Sequence, residues 1–194
     1  MKKSIIALCL MSAVLSAPAM ATVIDFDATG TPRNVNDLSY AIDGFRFSFN
    51  MDNVDIGSDS PWSGTGPAYS GNYAALNNYG SAGQMTRDDG STFSFQSLWV
   101  KNWFSGSDRT GNVYGYRNGI AVGHVSSNSS GAWTQVTGNF AEIDTLSFDF
   151  GNYFLIDNIT VNDTPDPVDV PEPGSLALLG LGLAGLFAGK KRLR

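Results

Sequence analysis

Between two strongly apolar ends, the chain sets single apolar residues against polar ones in short runs separated by Gly, Asn, Asp and Ser. Phe45, Phe47 and Phe49 flank Arg46 and Ser48, and Phe93 and Phe95 repeat the period. A period of two sends alternate side chains to opposite faces of an extended chain, so these runs predict half-buried β-strands. The same pattern predicts strands over 23–26, 98–104, 112–117, 120–125, 133–136, 146–150 and 154–161, with a short one at 73–77. Asn118 and Gly119 separate two of these runs. Both tolerate the positive φ that a type I′ turn requires, which predicts a tight hairpin. Eight or nine strands, without sustained helical periodicity, predict an all-β fold: a jelly-roll-like two-sheet β-sandwich.

The ends are patterned differently. Residues 1–21 join a positive start at Lys2 and Lys3 to an apolar run over 5–15 and to small residues at Ala19 and Ala21. That order reads as a secretory signal peptide cleaved before Thr22; the rival reading, a transmembrane helix, is opposed by the short run and by Pro18. Residues 163–173 are polar and spaced by Pro, the composition of an extended linker. An apolar stretch over 174–189 then precedes Lys190, Lys191, Arg192 and Arg194. As a helix it extends about 24 Å, short of a hydrocarbon core of about 30 Å, and lysine snorkelling closes the gap. The basic tail then stays cytoplasmic and the domain outside. The expected organisation is a signal peptide at 1–21, a β-sandwich at 22–162, a linker at 163–173, and a single C-terminal hydrophobic helix with its basic tail at 174–194.

With the ends set aside, charge changes the picture. Residues 22–170 hold six basic and seventeen acidic side chains, a net −11. Such a domain repels phosphate, so nucleic acid is not an expected partner. Sixteen of the acids are Asp, which suits turns and calcium better than helices; only Glu142 is Glu. The single cysteine, Cys9, lies in the signal region, leaving the exported domain without thiol chemistry. There is one histidine, His124, and no Gly-x-Ser-x-Gly, His-Glu-x-x-His or phosphate-cradling loop, so the domain is not expected to be an enzyme. Spacing alone leaves a carboxylate pair for glycoside cleavage open. His124 reads as a surface or hydrogen-bonded strand residue, and Asp88 and Asp89 before Gly90 as turn residues.

Residues 51–90 are rich in Gly, Ser, Asn and Asp and read as a long loop with one embedded strand. They carry Trp62, Tyr69, Tyr73 and Tyr79. Long loops in compact domains commonly carry function, and exposed rings stack on the C–H faces of sugars while Asp, Asn and Arg bond the hydroxyls. These four aromatics are therefore the expected ligand-binding set, with polysaccharide as ligand. Trp99, Trp103, Tyr114, Tyr116 and Trp133 fall on or near strands, where filling the core is the expected role of most; Trp99 alternates with Leu98 and Val100 and so faces away from them.

Pro171, Glu172 and Pro173, followed by an apolar helix and a basic cluster, resemble the PEP-CTERM sorting signal of exosortase substrates in Gram-negative bacteria. The resemblance implies transient retention in the inner membrane and processing near these residues by an exosortase-type protease. It also implies delivery to the cell surface or extracellular matrix, commonly in organisms that make exopolysaccharide. A permanent single-span anchor is the competing reading. The central domain is similar to the carbohydrate-binding-module-like β-sandwich frequent in such proteins, on Val23-Ile24-Asp25-Phe26-Asp27, on Asp43-Gly44-Phe45 and on residues 154–159.

In sandwiches of that kind a structural Ca2+ ion often ties the first strand to the last, and the resemblance implies such a site here, with Asp25 or Asp27 together with Asp157 matching the ligand positions and backbone carbonyls and water as further ligands. Strand parity gives Asp157 a reason to need a partner, because it shares the face of Leu155, Ile159 and Val161, where an unpaired charge is costly. Calcium meets that need; a bulge at Asp157 and Asn158 that turns the carboxylate to solvent removes it. The expected function is that of an exported surface or matrix protein that binds polysaccharide. The alternatives are a structural matrix or biofilm protein with no soluble ligand, and a secreted glycan-active enzyme.

Overall fold

A computed structural model describes residues 21–27, 41–48, 50–78, 80–104 and 108–162. Eleven strands cross these residues: β1 (Ala21–Ile24), β2 (Phe45–Phe47), β3 (Met51–Asp55), β4 (Tyr73–Asn77), β5 (Gly83–Arg87), β6 (Phe93–Asn102), β7 (Arg109–Arg117), β8 (Ile120–Ser129), β9 (Thr134–Ile143), β10 (Thr145–Asp149) and β11 (Phe154–Asn162). One sheet runs β3-β4-β11-β6-β9, with β1 also on β11; the other runs β2-β5-β10-β7-β8. All pairings are antiparallel. β4 pairs with the first half of β11 and β1 with the second half. The fold is thus the expected all-β two-sheet sandwich. We call the sheets A (containing β11) and B (containing β10).

The inward residues of each strand form the core. Phe45, Phe93, Phe95, Phe148 and Phe154 are fully buried between the sheets, with Leu98, Val100, Ile159 and Val161 beside them. Rings meet edge to face, as between Phe45 and Phe93 at 5.1 Å and 82°, the arrangement favoured by their quadrupoles. At the Asn118–Gly119 turn φ is 52° and 76°, both left-handed, as a type I′ hairpin joining β7 and β8 requires. Trp99 faces away from the buried Leu98 and Val100, in line with the alternation.

Several expectations are corrected. The stretch 51–90 is not a loop with one strand: it also contains β3 and β5. β3 reads Met-Asp-Asn-Val-Asp and is buried at every position, because sheet A is covered on both faces and the strand shows no alternation. Asn53 Nδ2 donates to the Phe26 carbonyl at 3.2 Å, and Asn78 Nδ2 donates to Asp52 Oδ2 at 2.9 Å, so its polar side chains have partners. β5 opens on Gly83, and only Met85 among its side chains is a buried apolar one. The separate strands expected around Phe93 and over 98–104 are one strand, β6. The first strand ends at Ile24, because Phe26 takes φ 61° and leaves the extended region.

The second face of sheet A carries its own small core. Val54, Ile56, Ala68, Ala74, Leu76 and Leu155 are buried there, with Trp103 and Trp133 packed against them. Segment 56–72, which includes a single 3-10 turn at Ser63–Thr65, lies over this face. The outer face of sheet B has no such cover among the described residues: along β8, Ile120 and Val122 are 69% and 55% exposed. No helix among the described residues is long and apolar enough to cross a membrane. Residues 1–20 of the expected signal peptide and the C-terminal helix lie outside the described residues, whereas Ala21 opens β1 and pairs with Asn162.

Candidate functional site

Segment 56–72 is fastened to sheet A by polar contacts from both sides. Tyr69 N and Ser70 N each donate to Asp157 Oδ2 at 3.0 Å. Asn72 N and Tyr73 N donate to Asp27 Oδ1 at 2.8 and 3.2 Å. Gly71 lies between the two carboxylates with φ 56°, and a Cβ there would fall 1.8 Å from Asp27 Oδ2. Only glycine permits this approach. Further along, Trp133 Nε1 donates to the Pro67 carbonyl at 3.0 Å, Thr65 Oγ1 to the Trp103 carbonyl at 3.0 Å, and Lys101 Nζ to the Thr65 carbonyl. Lys101 is buried beneath the segment, 5.4 Å from the Trp133 ring centroid, and burial lowers its ammonium pKa.

These contacts place the aromatic residues. Trp62 is half exposed and meets Trp103 edge-on at 5.7 Å. Phe104 and Tyr153 form a second pair at 5.9 Å, joined through Trp103 N donating to the Tyr153 carbonyl at 2.7 Å. Tyr153 holds φ 59°, a left-handed conformation unusual outside glycine. The four rings wall a cleft of about 290 Å³ whose floor is Val54 and Leu76 and whose polar edge is the hydrogen-bonded pair Asp52 and Asn78. Such a volume lies near the lower end for small-molecule sites. Apolar rings around one acid and one amide suit a sugar: flat faces for C–H groups, paired polar atoms for hydroxyls.

Of the expected ligand-binding residues, Trp62 lines this cleft. Tyr69 does not; it stacks on Trp99 at 3.9 Å and 16° and meets Trp133 edge-on, which pins the covering segment. Tyr73 packs against the inter-sheet core. Tyr79 lies outside the described residues. The residues that sequence reasoning missed are Trp103, Phe104, Tyr153, Asp52 and Asn78. One signal was available for two of them: adjacent aromatics at a strand end cannot both enter the same core, so either Trp103 or Phe104 had to face elsewhere.

The metal-ligand set divides. Asp27 and Asp157 brace the same loop, and Asp27 contributes to raising the Asp157 pKa. Asp157 is fully buried, and burial first, then the charge of Asp27, pushes its carboxyl up to about 7 against the opposing pull of its amide donors. Asp25 accepts from Asp27 N at 3.2 Å and contributes, after burial, to raising the pKa of Asp43. Among the described residues no group of three or more acidic, His or Cys side chains converges as a metal site. A bulge does interrupt β11 between Asp157 and Thr160, with Asn158 at φ 44°. It reverses parity: Leu155 and Asp157 face the covered outer side, while Ile159 and Val161 face the inter-sheet core. The carboxylate therefore points neither between the sheets nor to solvent. It is closed in by amide donors.

His124 is exposed on sheet B, with Nε2 3.0 Å from Asn112 Oδ1 and its ring stacked on Tyr114 at 4.4 Å. Asp88 and Asp89 sit in a turn, and Gly90 follows at φ 75°.

Residues 169–192 match the PEP-CTERM protein-sorting motif, which includes Pro171, Glu172 and Pro173. The chain thus carries that motif, which implies export to the surface or extracellular space; the three residues themselves lie outside the described residues. No curated protein matches the chain. Among solved structures, it is similar to a variant of CBM29-2, a family 29 carbohydrate-binding module, with 19% identity, 80% of this chain and 99% of that one covered, and a TM-score of 0.44. It is also similar to an arabinose-bound GH51 α-L-arabinofuranosidase, with 13% identity, 72% of this chain and 25% of that one, and a TM-score of 0.46. A third likeness is to a peptidoglycan O-acetylesterase, with 19% identity, 68% of this chain and 33% of that one, and a TM-score of 0.43. The chain spans about a quarter of the arabinofuranosidase's length. None of these likenesses carries the fold or the site, which stand on the strand pairing and the side-chain geometry.

Proposed function

We propose that this is an exported surface or matrix module, processed by an exosortase-type protease at Pro171, Glu172 and Pro173 after transient retention in the inner membrane, that binds an uncharged polysaccharide in the aromatic cleft. The observation that carries the binding reading is the grouping of Trp62, Trp103, Phe104 and Tyr153 around Asp52 and Asn78. An acidic domain with Asp52 at the cleft edge disfavours anionic sugars by like-charge repulsion. Binding without turnover fits the same geometry, since among the described residues Asp52 is the only carboxylate lining the cleft and glycoside cleavage generally takes two.

Structural calcium is part of this proposal. No basic side chain among the described residues pairs with Asp27 or Asp157, and a buried acid beside a second acid calls for positive charge. The two carboxylates would hold the ion together with backbone carbonyls and water. Its chemistry there is to neutralise Asp157 and fasten segment 56–72. Asp25, whose Oδ1 accepts from the Asp27 amide at 3.2 Å, is the third candidate ligand.

Trp62→Ala tests the cleft. Trp62 is half exposed, so the variant is expected to keep its melting temperature while binding to soluble uncharged polysaccharide in affinity electrophoresis weakens by about 30-fold, the loss of one aromatic anchor of about 2 kcal/mol. Absence of retention of the unaltered protein on every polysaccharide tried would refute the binding reading.

A further inference from the structure

Residues 118–141 contain no Asp, Glu, Lys or Arg. They comprise the β7–β8 turn, all of β8 and most of β9, and these two strands are the outermost of sheets B and A. They lie on one flank: a Cβ added at Gly123 of β8 would fall 2.4 Å from the Phe140 ring of β9. The charges that bound the stretch, Arg117 and Glu142, form an ion pair with each other. Between Asn118 and Ala141 the flank therefore carries no formal charge of its own, and Asp144 reaches only its turn end, where Oδ2 accepts from Asn118 N, in a region whose acids outnumber its bases seventeen to six.

Exposed sheet edges normally carry charge, proline or a bulge, or are very short, because an open row of N–H and C=O groups invites another strand. The opposite edges obey this. β2 has three residues and contains Arg46; β3 has five and contains Asp52 and Asp55. β8 has ten residues, with neither charge nor proline; its one irregularity is a bulge at Val122, opposite Gly115 and Tyr116, which leaves the seven residues Gly123–Ser129 in regular register. Among the described residues its outer edge pairs with no strand.

We infer that β8 is a self-pairing edge, where two copies of this chain join antiparallel to continue sheet B across a two-fold axis. A second copy is the occupant that charge favours. Two acidic domains repel wherever their acids face each other, and an isologous contact sets a surface against itself, so it needs a patch that is neutral by itself. β8 is such a patch. Backbone pairing supplies the affinity and the Ile120 and Val122 side chains supply apolar contact. The inference stands independently of sugar binding, since the aromatic cleft is on sheet A.

The test uses the full chain with its own signal and sorting segments, carrying Cys9→Ser, and single cysteines introduced by Ile120→Cys, Val122→Cys, His124→Cys or Ser126→Cys. Gln84→Cys, exposed on β5, and Gln135→Cys, exposed on β9, serve as references. After mild oxidation of exported protein, non-reducing gels are expected to show disulfide dimers strongest at one β8 position and weaker on either side of it, at least fivefold above both references. Val122→Lys in the best-linking background is expected to abolish the dimer band. Cross-linking at β8 no stronger than at Gln84→Cys overturns the inference, and so does equal cross-linking at Gln135→Cys, which would place the contact on β9 or make it random collision. All six substitutions are at solvent-facing sites, and a variant that fails to reach the surface is replaced by its neighbour in the series.

Discussion

The two outer faces of this sandwich are built from the same kind of strand and meet different fates. On sheet B the alternation of β2 and β7 ends at solvent: Arg46 is exposed, and Tyr114 and Tyr116 lie half-buried beside His124. On sheet A the corresponding positions of β6 and β11 are Trp99, Lys101, Leu155 and Asp157, and segment 56–72 lies over them. The difference resides in the cover, not in the strands. A loop of small and polar residues has made an outer face into a second core and, at its border, an aromatic cleft. The cost of that arrangement is a buried carboxylate and a buried ammonium, Asp157 and Lys101, each needed to fasten the loop.

If the covered face is a true core, truncating it should cost as much as truncating the space between the sheets. Leu155→Ala is expected to destabilise the domain by about 2–5 kcal/mol, the range for a buried leucine, comparable with Phe154→Ala one residue earlier on the inter-sheet side at about 3–5 kcal/mol. Urea unfolding of both variants decides it. A cost for Leu155→Ala below about 1 kcal/mol would mean that segment 56–72 lifts away and that the second core is loose.

The same contrast explains what could be read from the sequence. β7, β8 and their Asn118–Gly119 turn were legible because one face is wet and the other dry, which writes a period of two into the residues. β3 was illegible for the opposite reason, since both its faces are covered and its Asp52, Asn53 and Asp55 are buried. Polar residues normally signal exposure, and here nonlocal partners such as the Phe26 carbonyl override that signal. Asp157 was half legible: its burial follows from parity, but the bulge that turns Ile159 inward while Asp157 faces the loop is not written in residue type. Trp62 was legible as a loop aromatic. Its partners Trp103, Phe104 and Tyr153 were not, because their meeting depends on how segment 56–72 is fastened.

Asp157 provides the next test, through pH. Its folded pKa of about 7 stands above the ordinary 3.8, so between these values the native state keeps a proton that the unfolded chain has released. Stability therefore falls as pH rises from about 4 to about 7 and levels off above, by an amount on the order of 1–4 kcal/mol. Asp157→Asn removes the titration and should flatten the profile. Calcium offers the discriminating arm: an ion between Asp27 and Asp157 favours the ionised carboxylate, so millimolar calcium should raise the melting temperature at pH 7 and leave it unchanged at pH 4. Coincident melting curves with calcium and with chelator at pH 7 would exclude the ion.

The smallest expected effects come from a pair of cations taken one from each sheet, Arg46 and Lys101. Arg46 on sheet B pairs with Asp88, and both side chains are largely exposed; exposed pairs contribute between zero and about 1 kcal/mol, and salt screens them. Arg46→Ala should thus shift stability by less than about 1 kcal/mol at low salt, with the difference vanishing near 1 M salt. Lys101 is buried, donates to the Thr65 carbonyl and lies beside Trp133, so Lys101→Ala removes packing and leaves a carbonyl without its donor, at roughly 1–3 kcal/mol. That loss should persist in high salt, because burial shields the contact from ions. The salt dependence, more than the size, separates the faces: equal sensitivity of the two variants would mean that water and ions reach Lys101, and that segment 56–72 opens on the timescale of the measurement.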